Sequence, residues 1–190
     1  MTFYWNRLKC ASIVLAVLWL GFSSLHAAFI PPYGMHFTQE MDACGNIFTL
    51  EDGSEWKVAE CDCDTLYLWD LSYKSQAVTI TPNYFSSFYD YYITNQQTGS
   101  YVRANLLGAP LRESPNALTI RGFDRNGRKA KAIFLSNRTF WKVHPSDLPL
   151  TCNWYEDDLV ILGMNNDWLS IYTHILINIH TNSFVRILQL

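Results

Sequence analysis

No run of lysine or arginine occurs in this chain of 190 residues, whose 14 basic and 17 acidic side chains leave a formal charge of −3. A mildly acidic protein without a basic stripe lacks the electrostatic footprint for nucleic acid or an anionic membrane. Glycine-rich phosphate loops and dinucleotide fingerprints are missing too, and the sequence implies no cofactor. Glu156-Asp157-Asp158 lacks the alternating oxygen ligands and the glycine of a calcium loop, so it reads as a solvated acidic turn. Cys61-x-Cys63 lacks the usual zinc-ligand spacing, and no histidine pair follows it at metal distance. No metal set emerges. Disorder is excluded by an aromatic content of 15%, spread through both halves.

Long apolar runs are equally scarce. Arg7 and Lys9 precede one at residues 10–22, and the small-residue site Ser23-Ser24-Leu25-His26-Ala27-Ala28 follows. This is the pattern of a secretory signal peptide over residues 1–27, cleaved near Ala27 or Ala28. A membrane span needs about 18 or more apolar residues, so none is expected after signal removal. Loss of Arg7 and Lys9 takes the formal charge from −3 to −5. Export then governs how the cysteines read. Cys44, Cys61, Cys63 and Cys152 remain, an even number that predicts two disulfides in an oxidising compartment. Cys61 and Cys63 are too close to bridge each other easily, which favours Cys44 with one of them and Cys152 with the other.

What the chain does have is a duplication. Trp56 and Trp69 recur as Trp141 and Trp154, each 85 positions later. Residues retained in both copies are those the unit needs in order to fold, so the four indoles are expected to anchor the core. Asp42-Ala43-Cys44-Gly45 and Asp124-Arg125-Asn126-Gly127 are hairpin turns, entered by strands 35–41 and 118–123 and left by 46–50 and 130–135. A second reversal at Glu51-Asp52-Gly53-Ser54 matches Ser136-Asn137-Arg138-Thr139, where Arg138 replaces Gly53 and a different turn type is allowed. Trp56-Lys57-Val58 and Trp141-Lys142-Val143 alternate as half-buried strands. Strands Val78-Thr79-Ile80 and Val160-Ile161-Leu162 end at Asn83 and Asn165, and an insertion at 70–76 reads as a surface turn. Phe85 and Tyr89, like Trp168 and Tyr172, are four apart and predict one or two helical turns. A hairpin closes each unit, with strands 92–95 and 101–103 or 175–178 and 184–186, and Asn182 replaces Gly99 in the turn.

The fold class is therefore all-β and mainly antiparallel: two tandem copies of a small barrel or sandwich, spanning 33–106 and 117–190, joined by a linker at 107–116. Separate cores and one shared core both fit the pattern.

The stretch Asp52-Gly53-Ser54-Glu55-Trp56-Lys57-Val58, with Trp69 after it, resembles small exported β-repeat proteins of Chlamydia-type intracellular bacteria. The second copy departs from that pattern at Asn137-Arg138-Thr139-Phe140. The resemblance implies an exported bacterial protein and no catalytic residues.

Enzymatic chemistry finds little support. His144, Ser146 and Asp147 cluster in the second copy, but triads are built by geometry, and His144-Pro145-Ser146-Asp147 reads as a capped turn. His174 and His180 read as surface or packed residues, and Arg103 and Arg186, at matched positions on matched strands, read as solvent-facing residues or as members of an ion pair with the other face. The segment 84–92 is the candidate binding surface, through Tyr84, Phe88 and Tyr91, although periodic aromatics also suit a core. The leading expectation is a non-enzymatic exported binding or interaction protein with a protein or carbohydrate partner. The alternatives are a hydrolase with a site between the copies and a structural cell-envelope component.

Overall fold

The computed structural model describes residues 32–42, 44–71, 75–86 and 88–190. The expected signal peptide lies outside them, as does part of the insertion at 70–76. Each copy folds into a closed six-stranded antiparallel barrel. The first comprises β1 (Met35–Asp42), β2 (Ile47–Leu50), β3 (Glu55–Val58), β4 (Ala77–Pro82), β5 (Tyr91–Asn95) and β6 (Tyr101–Gly108). The second comprises β7 (Leu118–Asn126), β8 (Lys129–Leu135), β9 (Phe140–Val143), β10 (Leu159–Met164), β11 (His174–Asn178) and β12 (Ser183–Gln189).

Strand order is β1-β2-β3-β6-β5-β4 in one barrel, and the second repeats it with β7-β8-β9-β12-β11-β10. Since β3 and β4 are not neighbours, the chain must cross between them. It does so through a 3₁₀ turn (Glu60–Asp62) and helix α1 (Cys63–Asp70), which buries Leu66 and Trp69. The second copy uses a 3₁₀ helix at Pro145–Asn153, opened by Pro145 and interrupted by Pro149, neither of which can donate a backbone hydrogen bond. By contrast, the helical turns expected around Phe85 and Trp168 are irregular loops. Asn83, Ser86, Asn165, Asp167 and Ser170 accept hydrogen bonds from backbone amides two or three residues ahead, which competes with helix formation.

The tryptophans are framework in both copies. Trp56 and Trp141 are wholly buried, and their indole N–H groups donate to Ser54 Oγ (3.0 Å) and Thr139 Oγ1 (2.6 Å). Trp69 and Trp154 donate to Ser100 Oγ and Ser183 Oγ. A buried indole needs a partner for its N–H, and the duplication has kept one for each. Arg138 adopts φ +67° where Gly53 has φ +85°, so both turns share the left-handed conformation.

Two core clusters form, and they meet. Along β4, buried Val78 and Ile80 alternate with half-buried Thr79 and Thr81, as expected of a strand covered on one face. The equivalent β10 is buried from Val160 to Gly163. Val160 and Leu162 enter the second core, whereas Ile161, with Ile175 and Ile177 of β11, joins the first. At Gly163 the backbones approach so closely that a Cβ would stand 2.6 Å from the Ile80 carbonyl oxygen. The connector is correspondingly short and pinned: β6 runs to Gly108, Leu111 N–H donates to Asp52 O, and the Ser114 hydroxyl donates to Glu51 O.

The disulfide expectation is corrected: all four cysteines are free thiols. Each helical segment packs against strands of its own barrel, so Cys152 in the second 3₁₀ helix is held apart from Cys61 and Cys63 in the first copy. Cys63 instead donates to Asn46 Oδ1, and Cys61 Sγ accepts from Arg103 Nη2.

Candidate functional site

A cleft of about 550 Å³ opens where the barrels meet. The first barrel supplies Asn83, Tyr84, Asp90 and Tyr91, and the second supplies Asp147, Leu150, Asn182, Ser183, Phe184 and Arg186. Tyr84 and Phe184 form its aromatic wall, with ring centroids 6.1 Å apart. Burial raises the Tyr84 phenol above its ordinary pKa, so it stays a neutral donor and acceptor at physiological pH.

Asp147 and Arg186 face each other in this wall. Asp147 Oδ2 accepts from the Arg186 backbone N–H and from Nε, both at 2.9 Å, while Oδ1 accepts from Nη2 at 2.7 Å. Burial pushes the Asp147 carboxyl up, but the Arg186 hydrogen bonds and charge outweigh it and hold the pKa below its ordinary value. Asp62 and Arg103 make the same three bonds in the first copy, away from the cleft. An arrangement present in both copies is framework: it ties each helical segment to the last strand of its barrel. Its carboxylate is ionised and occupied, and is a poor general base.

Asn83 is the cleft's exception. It is 7% exposed, and its Oδ1 accepts from Phe85 N–H, but its Nδ2 makes no hydrogen bond. The matched Asn165 caps its loop in the same way, and its Nδ2 donates to the Tyr172 carbonyl at 2.7 Å. The first-copy loop is one residue shorter, since Asn83 N–H reaches Asp90 O where Asn165 N–H reaches Thr173 O. That shortening leaves a buried donor without an acceptor, at a cost of about 1–3 kcal/mol unless something else supplies one.

The two loops lie side by side. Asn166 Nδ2 donates to the Pro82 carbonyl at 3.2 Å, and together the loops expose Phe85 (95%), Phe88 (82%) and Trp168 (89%), with Leu169 and Ile171. The sequence-predicted surface is thus divided. Tyr84 and Phe88 are exposed, whereas Tyr91 is 2% exposed and packs edge-on against Trp56 at 5.5 Å. Tyr91 opens β5 in phase with inward-facing Ile93, which is why it turns into the core. Trp168, Leu169 and Ile171, in the matched loop of the second copy, are exposed as well.

The remaining candidates stay local. His144 Nδ1 accepts from the Ser146 backbone N–H to cap the 3₁₀ helix, and Asp147 is bound to Arg186 and not to His144. His174 packs against Trp141, and burial lowers its pKa despite a hydrogen bond to Tyr33 O. His180 is exposed. Asp157 pairs with Arg121, and Asp158 accepts from Tyr155 N–H and Asn178 Nδ2, so the acidic run serves its own turn. No cluster of metal-ligating side chains occurs among the described residues. Among those residues, too, no helix is long and apolar enough to cross a membrane.

No family model, curated protein or solved structure matches the chain.

Proposed function

We propose that the chain is an exported, non-enzymatic binding protein whose partner, a protein or carbohydrate, docks where the two barrels meet. One observation carries this reading: paired loops, one from each copy, expose Phe85, Phe88 and Trp168 beside a cleft lined by both barrels. Large apolar side chains left this exposed in a contiguous group mark an interaction surface. A hydrolase is disfavoured because the cleft's Asp147 is committed to Arg186, His144 caps a helix and His174 contacts Trp141 and Tyr33.

Two measurements test the proposal. N-terminal sequencing of the protein recovered from its native cells should begin near Ala28. Displayed glycans and peptides should capture the protein, and Phe85→Ser with Trp168→Ser should abolish capture while leaving the unfolding midpoint in place. Full capture by that double variant would reject the surface.

A further inference from the structure

We infer that the cleft takes a neutral saccharide, and that the Asn83 side chain, whose Nδ2 is shielded from solvent, turns to donate to one of its oxygens; this rests on the binding reading above. The cleft has a mixed polar inventory. The Asn83 amide needs an acceptor, and the Asp90 carboxylate accepts only. The Asn182 side chain both donates and accepts, and Arg186 retains Nη1 beyond its bonds to Asp147. Tyr84 and Phe184 contribute an apolar wall. A ligand that satisfies donors and acceptors a few ångströms apart, and also offers an apolar face, is a polyhydroxylated ring. Its hydroxyls do both jobs, and its C–H face lies against an aromatic ring.

Charge and topology remove the competitors. Asp90, Asp147 and Arg186 give the lining one excess negative charge, which opposes nucleic acids and acidic polysaccharides. A peptide captured by main-chain pairing needs a free sheet edge, and both sheets are closed into barrels. The volume of about 550 Å³ lies within the range of small-molecule sites, on the scale of one or two sugar rings. The second copy supplies an internal contrast, because its Asn165 amide already donates to Tyr172 O.

The test titrates the isotope-labelled full chain with neutral mono-, di- and trisaccharides of gluco, galacto, manno and 2-acetamido configuration. Hyaluronan and a set of short neutral peptides are titrated alongside. A neutral saccharide should shift the Asn83 side-chain amide resonance and the backbone resonances of residues 182–186. Asn83→Asp keeps the acceptor for Phe85 N–H but removes the donor, and should weaken binding about tenfold or more. Tyr84→Ala should weaken it by a similar factor and keep the wild-type unfolding midpoint, whereas Asn83→Asp places a carboxylate at a buried position and should lower the midpoint, so its binding is measured well below that midpoint. Binding that leaves the Asn83 amide unmoved, or that Asn83→Asp retains in full, overturns the assignment. If only peptides or hyaluronan move the cleft resonances, the saccharide class falls and the binding reading stands. If nothing moves them or the loop resonances of Phe85 and Trp168, both fall.

Discussion

The two barrels share a strand order and differ in what they ask of their surfaces. The first alternates buried and half-buried residues along β4 and β5, and its outer threonines and tyrosine are only partly covered. The second is buried on both faces along β10 and β11, where Ile161, Ile175 and Ile177 replace that alternation. The first also holds a titratable pair with no counterpart. His36 Nε2–H donates to Leu162 O of the second barrel (2.8 Å), and protonated Nδ1 donates to Glu51 Oε1 (3.0 Å). In the second copy Ser136 Oγ, accepting from Thr119 N–H, occupies the place of Glu51 Oε2 accepting from Phe37 N–H. Matched features, the Trp–Ser/Thr and Arg–Asp contacts, build each barrel. Unmatched ones join the barrels and shape the cleft.

The matched tryptophans carry the largest expected loss of stability. Trp56→Ala and Trp141→Ala should each cost about 3–5 kcal/mol in denaturant unfolding, because both indoles are wholly buried. A large inequality between them would show that the copies do not carry equal structural weight. The next largest effect is asymmetric. Gly163→Ala drives a Cβ into the Ile80 carbonyl and Ile175, and should cost about 1–3 kcal/mol, whereas Gly122→Ala meets open space and should change little. Equal effects would mean that the barrels can slide apart.

The His36–Glu51 pair separates the copies by pH. Burial lowers the His36 pKa, but the Glu51 hydrogen bond and charge, the Asp52 charge and the Leu162 carbonyl outweigh it and leave it raised. Burial raises Glu51, but the His36 hydrogen bond and charge leave it lowered. A raised histidine stabilises fully below its unfolded value of about 6.5 and loses that contribution as pH climbs through the folded value. The lowered glutamate stabilises above about 4.5 and loses its share as pH falls through its folded value. Stability should therefore plateau between about pH 4.5 and 6.5 and decline above it. Glu51→Gln should cost about 1–2 kcal/mol on the plateau and flatten the decline, as unfolding at a series of pH values would show. An unchanged slope in the variant would remove His36 as its source.

Asn83→Ala and Asn165→Ala each lose the oxygen that caps the loop, and Asn165→Ala also loses the hydrogen bond to Tyr172, so it should cost about 1 kcal/mol more than Asn83→Ala. Equal costs in thermal unfolding would show that the Asn83 amide has a partner within the protein.

Much of this architecture could be read from the residue pattern. All twelve strands fall where alternation and turn chemistry place them, because period-two burial is a strong local signal. Helix α1 escaped, since Cys63-Asp64-Thr65-Leu66-Tyr67-Leu68-Trp69-Asp70 buries only Leu66 and Trp69 and exposes Tyr67 and Leu68. The barrel interface left a legible trace: Val160-Ile161-Leu162 is continuously apolar where Val78-Thr79-Ile80 alternates, the mark of a strand buried on both faces. The cleft was less accessible. Tyr84 and Asp147 drew attention as residue types, but the orphaned Asn83 amide depends on the path of a loop one residue shorter than its counterpart, and no residue type encodes that.

Because β4 packs against β10, each barrel presents the same strand of the repeat to the other. Like meeting like is how identical subunits associate in an isologous dimer. Covalent linkage makes that meeting intramolecular, so dilution does not separate the halves. It also frees the two faces to diverge: Gly163 and the three isoleucines could be fixed on one side alone, a choice that symmetry denies to any true homodimer.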